Sequence, residues 1–173
     1  MSQMGAIRRI DELGRIVIPK GIRSRMRINE GDRLEITLGT AGKIEIQKYH
    51  AYHGNMEMIQ SIVLALSKEI HRYVVIISEQ KILACSDETQ SELQEGEEIH
   101  SQLYQHLYAR KTYLGKNEMI LPQGKLYSFS LFPIAYNSEV LGGVLILGED
   151  HLSEEEIRIV HAFRNLITTI LKV

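Results

Sequence analysis

The chain is 173 residues long, room for one compact domain or two small ones, and its 44% apolar and 24% charged content is ordinary for a globular protein. No run approaches the roughly 18 consecutive apolar residues of a membrane-spanning helix, so no membrane partner is expected. The net charge of −2 hides an asymmetry: residues 1–48 hold ten Lys/Arg and six Asp/Glu, residues 49–173 ten and sixteen, and residues 1–27 seven and two.

A basic start on an acidic chain suits a surface for a polyanion, although a solvated charged face accounts for the charge equally well. The opening, MSQMGAIRRI, has no apolar core or cleavage site, and no secretory leader is expected. Residues 6–10 (AIRRI) predict a short strand, Asp11-Glu12-Leu13-Gly14 a turn, and Arg15-Ile16-Val17-Ile18 a second strand rich in β-branched residues. Pro19 ends that strand and is placed to open a two-turn helix over about Lys20 to Arg27. Asn29-Glu30-Gly31-Asp32 reads as another turn. Arg33–Leu38 and Lys43–Lys48 then alternate apolar and polar residues around Gly39-Thr40-Ala41-Gly42, the pattern of a hairpin with one buried and one wet face. Four short strands and one short helix are too little to bury a core alone, and no disulfide or metal pattern is there to help. The segment is therefore expected to fold as a dimer that shares strands between chains.

Residues 49–55 break the alternation, and 51–55 is read as a linker between a domain over 1–50 and another over 56–173. Asn55 is placed to cap a helix running to about His71, with Ile59, Val63, Leu66 and Ile70 as its apolar seam. Residues 73–78 and 81–85 predict strands, and 97–110 a helix with Ile99, Leu103 and Leu107 on one side. Leu126–Ala135 predicts a strand that Pro133 makes an edge or a bulge, followed by a tight Asn137-Ser138 turn. Val140–Leu147 is an apolar strand interrupted by Gly142-Gly143. Ser153 and Glu156 have capping-box spacing before a last helix, with Glu154, Glu155 and Glu156 at one end and Lys172 at the other, as the helix dipole favours. Val160, Phe163, Ile167 and Ile170 give that helix a seam, for packing on the first helix of the region or for a bundle between subunits. The order helix, strand, strand, helix, strand, strand, helix describes an antiparallel α/β sandwich, not the alternation of a dinucleotide-binding fold.

Little invites catalysis. His50 and His53 have metal-like H-x-x-H spacing but no third ligand nearby, and His71, His100, His106, His151 and His161 are scattered. Cys85, the one cysteine, cannot form an internal disulfide, suits a reducing cytoplasm, and reads as a small apolar residue at a strand end. No phosphate-binding loop, nucleophile elbow or paired-cysteine pattern is present, so neither enzyme activity nor a cofactor is expected.

The run Gly5-Ala6-Ile7-Arg8-Arg9-Ile10-Asp11-Glu12-Leu13-Gly14-Arg15-Ile16-Val17-Ile18-Pro19-Lys20 closely resembles the opening of AbrB-type transition-state regulators. The resemblance continues through Ile22-Arg23 and Gly31-Asp32 to Lys48-Tyr49, about the first 50 residues. The second region, matched less strictly, resembles the part of a sporulation regulator of this type that carries a GAF-type domain. The resemblance implies an α+β chain: an N-terminal swapped-hairpin β-barrel dimer, a GAF-like antiparallel α/β sandwich behind it, and a dimer of dimers overall. It also implies a cytoplasmic activator or repressor of transcription that binds double-stranded DNA.

Arg8, Arg15 and Arg23 match DNA-binding arginines of the family, and Arg9 stands where the family often has lysine or arginine. The next family arginine is Ser24 here, and Arg25 follows one place later, about 100° round the helix. Lys20 is a candidate phosphate contact. Arginine suits the task because its permanent charge and planar fork fit phosphates and guanine edges. A two-turn helix is too short to be a recognition helix, so readout is expected from strands and loops with two symmetry-related arginine sets. GAF-like domains often bind small molecules, and Tyr104, Tyr127, Ser128 and Ser130 are candidates to line a pocket for an unknown ligand; a domain used for assembly alone is the equal alternative. AbrB-like folds also occur in antitoxins, a protein-binding alternative against which the patterned, capped second region argues.

Overall fold

The computed structural model describes residues 6–26, 28–49, 52, 54–87, 93–137 and 139–171. Gly5, Arg27, His50, His53, Ser138 and Lys172, all singled out from the sequence, lie outside them. The backbone divides into two compact units, residues 1–50 and 51–173.

In the first unit Lys20–Arg25 form helix α1 directly behind Pro19, whose φ of −58° is preset for a helical start. Strands β1 (Leu34–Leu38) and β2 (Ile44–Lys48) pair antiparallel as the alternation predicts, with Leu34 opposite Lys48, Ile36 opposite Ile46 and Leu38 opposite Ile44. A short 3-10 turn over Thr40–Gly42, with Ala41 left-handed at φ 61°, joins them. The strands expected at 6–10 and 15–18 are not formed; these residues flank a turn without ladder pairing. The reason is the lack of a neighbour. A strand exists only beside another strand, and among the described residues of this unit within one chain only β1 and β2 meet. The apolar surface is correspondingly open. Ile28 is the buried residue of this unit among the described residues, while Ile7 is 95% and Leu38 87% exposed.

The second unit runs α2 (Met56–Ile70), β3 (Tyr73–Ile77), β4 (Ile82–Cys85), α3 (Ser101–Tyr108), β5 (Tyr113–Met119), β6 (Leu126–Tyr136), β7 (Glu139–Leu147) and α4 (Glu154–Leu171). Its five strands lie in the order β4-β3-β7-β6-β5, every neighbouring pair antiparallel. Alternation along each strand sends side chains to two faces. One face takes α2 and α4; Phe132 of β6 meets His161 of α4 edge-on at 5.5 Å. The other takes α3, whose Leu103 and Leu107 join Val75, Leu131 and Leu145 in a fully buried cluster. The glycines of β7 are explained by these contacts. A Cβ at Gly142 would collide with the Ile77 carbonyl oxygen, and one at Gly143 would come within 2.7 Å of both Leu107 and Leu131.

Three expectations shift. Helix α3 begins at Ser101 instead of residue 97, because Glu98 bridges Lys81 and the Ile99 amide donates to Gln80, which keeps this stretch extended beside β4. Strand β5 is an element the sequence reading lacks. Pro133 stands on β6, an interior strand, but past the last β5 pair (Tyr113 opposite Leu131), so no neighbour on that side demands its missing N–H.

Candidate nucleic-acid interface

The six candidate DNA-binding cations sit on three consecutive pieces of backbone: Arg8 and Arg9 before the turn, Arg15 after it, and Lys20, Arg23 and Arg25 on α1. All six are exposed. The turn is built by Asp11. Its amide donates to the Arg15 carbonyl at 3.1 Å, and its own carbonyl accepts from Gly14 at 2.9 Å, with Gly14 at φ 76°, where glycine is favoured. Its carboxylate Oδ1 accepts the amides of Leu13 at 3.0 Å and Arg15 at 2.8 Å, and Oδ2 accepts Arg15 Nε at 2.7 Å. The Arg15 amide, then its guanidinium, hold the Asp11 carboxyl below the usual carboxylate range.

Arg15 is thus held, with its side chain still 71% exposed. Arg8, Arg9, Lys20, Arg23 and Arg25 have no acidic partner among the described residues. Arg8 donates to the neighbouring Ile7 carbonyl, at 3.0 Å. Lys20 and Arg23, three apart on α1, share a face, whereas Arg25 lies about 200° round from Arg23. The guanidinium of Arg33, which the sequence reading passed over, stacks 4.7 Å above the Tyr49 ring. Continuing the hairpin register one step beyond Leu34 and Lys48 places these two opposite each other, so the pairing was available in the alternation.

In the second unit the four candidate pocket residues do not converge. Ser128 and Ser130 lie on the α4 face of β6, with Ser130 buried, and Tyr127 lies on the α3 face. Tyr104 is exposed on α3 beside Tyr108, ring centroids 4.5 Å apart. Other polar and aromatic groups do come together. His106 stacks on Tyr113 at 3.5 Å, and the Tyr113 hydroxyl donates to Glu118 at 2.6 Å, which raises the phenol pKa. Tyr52 is buried with its hydroxyl beside Gly142, and that hydroxyl has no hydrogen-bond partner among the described residues. Cys85 is buried and its thiol donates to the Leu93 carbonyl at 3.4 Å. No group of three or more metal-ligating side chains occurs among the described residues, and no helix of the structure is long and apolar enough to cross a membrane.

Residues 7–51 match the family described as antidote-toxin recognition MazE, bacterial antitoxin. Over 160 residues, 90% of this chain and 89% of the relative, the sequence is 29% identical to stage V sporulation protein T of Bacillus subtilis (strain 168). Among solved structures, the GAF domain of an Acinetobacter phosphoenolpyruvate-protein phosphotransferase superposes with a TM-score of 0.54 at 10% identity, covering 72% of this chain and 83% of that one. The type II free methionine-R-sulfoxide reductase of Thermoplasma acidophilum gives 0.52 at 16% identity, covering 70% and 94%. At such identities these two likenesses concern the fold alone. The chain is therefore similar along most of its length to stage V sporulation protein T, with a segment of AbrB/MazE type in front and a fold like that of GAF domains behind.

Proposed function

We propose that the chain is a sequence-selective DNA-binding regulator of transcription, acting in sporulation or the transition to it. The observation that carries this reading is the exposed cationic set, Arg8, Arg9, Arg15, Lys20, Arg23 and Arg25, gathered on the segment that matches the AbrB/MazE type. Seven cations against two acids in residues 1–27 suit a phosphate backbone. The open apolar face of β1 and β2 supports assembly with a second copy through a swapped-hairpin barrel, which would present the arginines twice about a two-fold axis. The GAF-like unit then brings dimers together as a dimer of dimers, or answers a small ligand that binds its two states unequally. The domains are residues 1–50 and 56–173 with 51–55 between them, and the protein works in the cytoplasm, without enzymatic activity of its own.

The test is fluorescence anisotropy with AT-rich promoter duplexes across a salt series. Tight binding that weakens steeply with salt is expected, and Arg15→Ala abolishes it while the protein stays folded. Unimpaired binding by the folded Arg15→Ala protein refutes the interface, and no binding at low salt refutes the regulator.

A second reading, an antitoxin-like protein-binding module, is favoured by the description of the family that residues 7–51 match. Against it stands the second unit, a folded α/β domain in place of a flexible acidic tail. Co-purification of a stoichiometric toxin with the full chain would decide for it.

A further inference from the structure

We propose that Asp11 is a positioning residue for DNA readout: its carboxylate holds Arg15 by Nε and presents the two Nη groups as a fixed fork to a base edge, so that Asp11 serves sequence selectivity more than affinity. The assignment rests on the DNA-binding reading. Its basis is a carboxylate placed against its own electrostatic interest. In a segment of seven cations and two acids, a negative charge beside a candidate phosphate-binding arginine weakens attraction to a polyanion. Asp11 nonetheless stands there, ionised and locked. Oδ1 is fixed by the backbone amides of Leu13 and Arg15, at 3.0 and 2.8 Å, and Oδ2 is turned to the Arg15 guanidinium, at 2.7 Å. The carboxylate is therefore oriented by the backbone of the turn before it orients the guanidinium.

The geometry leaves the right groups open. Contact through Nε leaves the outer edge of the guanidinium, Nη1 with Nη2, available for the paired acceptors of a guanine, O6 and N7. The Arg15 side chain is 71% exposed and that of Asp11 43%, so an incoming duplex can reach the fork. A guanidinium already held in one pose loses less rotamer freedom on binding and fits one base pattern better than others. Loose arginines such as Arg9 would contribute charge without that discrimination.

Asp11→Asn isolates the effect. The amide oxygen still accepts the Leu13 and Arg15 amides, while its NH2 group opposes Nε donor against donor. The probes are a duplex that the native protein selects from a random pool and a shuffled duplex of the same composition. The affinity ratio between them is expected to fall about tenfold or more, within the range a bidentate base contact discriminates. Binding to the shuffled duplex is unchanged or tighter, with a salt slope no shallower, a result that a merely structural defect would not give. A retained ratio in folded Asp11→Asn overturns the role. If Asp11→Asn does not fold, the native protein decides by NMR. A slowly exchanging Arg15 Nε–H that becomes solvent-like as Asp11 protonates supports the proposal, and one that is solvent-like at every pH overturns it. Loss of binding in Arg15→Ala with an intact ratio in Asp11→Asn removes the positioning role alone, whereas a native protein with no DNA binding removes both readings.

Discussion

The two oxygens of Glu156 serve two parts of the second unit at once. Oε2 accepts the Ser153 amide at 2.7 Å while Ser153 Oγ accepts the Glu156 amide at 3.2 Å, the reciprocal capping box that the S-x-x-E spacing foretold. Oε1 accepts Arg72 Nε at 3.1 Å and so ties the start of α4 to the approach to β3. The Ser153 bonds first, then Arg72, hold the Glu156 carboxyl below its ordinary value of 4.5. A carboxyl whose folded pKa is depressed stabilises the fold above the unfolded value and loses that contribution as pH falls through the folded one. Glu156→Gln keeps the capping geometry and removes the charge. It is expected to cost about 0.5 kcal/mol at pH 7 in urea denaturation, with the gap to the native protein closing as pH falls below 4.5. A gap that persists at low pH would show that the charge is not the cause. Tyr52 presents the opposite case, a buried hydroxyl with no partner among the described residues. A buried unsatisfied donor costs about 1–3 kcal/mol, so Tyr52→Phe should raise stability by about 1 kcal/mol. A lower denaturation midpoint for Tyr52→Phe would mean that the hydroxyl has a role in the folded protein.

At the scale of elements, what could be read in advance depended on how regular each pattern was. The hairpin β1–β2 was legible because its alternation is strict on both arms, and α4 because its cap, acidic first turn and apolar seam agree. Strand β5 was not. Tyr113-Leu114-Gly115-Lys116-Asn117-Glu118-Met119 has no alternation, because the register with β6 shifts between Gly115 and Glu118 and Asn117 turns left-handed at φ 52°. An edge strand paired on one side only also needs little apolar content. Gly115 does carry a trace of its packing, since a Cβ there would meet the Phe129 ring at 2.5 Å, but a lone glycine does not announce an aromatic neighbour. Of the candidate interface, the arginines were legible as residue types, whereas the Asp11–Arg15 bond needs the turn that brings them together. Gly142 tests the strand logic directly. Its φ of 143° is one that L side chains rarely adopt, and the Ile77 carbonyl blocks the place of a Cβ. Gly142→Ala should therefore destabilise the second unit by about 3 kcal/mol, measured on its own unfolding transition. The apolar face of the hairpin makes the complementary case. Ile36→Lys alters a residue that is 67% exposed in one chain, which should be harmless if that face stays wet. Burial against a second copy predicts instead that Ile36→Lys abolishes the first unit's calorimetric transition and DNA binding, and leaves the second unit's transition in place.

For the whole molecule the two units differ in what closes their cores. The second buries Ile77, Leu131, Phe132 and Leu145 completely or nearly so within one chain. The first buries one described residue and leaves its hairpin face open. Unfolding should then proceed in two steps that respond differently to dilution. A transition in which chains separate follows mass action, and tenfold dilution is worth about 1.4 kcal/mol. For a dimer of about 100 ordered residues that lowers the midpoint by about 5 °C or more. The second unit's transition should move far less, because its core needs no second copy. Scanning calorimetry at two protein concentrations separates these outcomes. Two transitions, the one sensitive to concentration being also the one raised by added duplex, would assign both assembly and DNA binding to the first unit. A single transition that shifts as a whole would mean that the two units fold as one body. Only in that case could a ligand on the GAF-like unit change DNA binding through stability alone. With independent transitions, ligand control requires a second conformation that the ligand favours by unequal affinity.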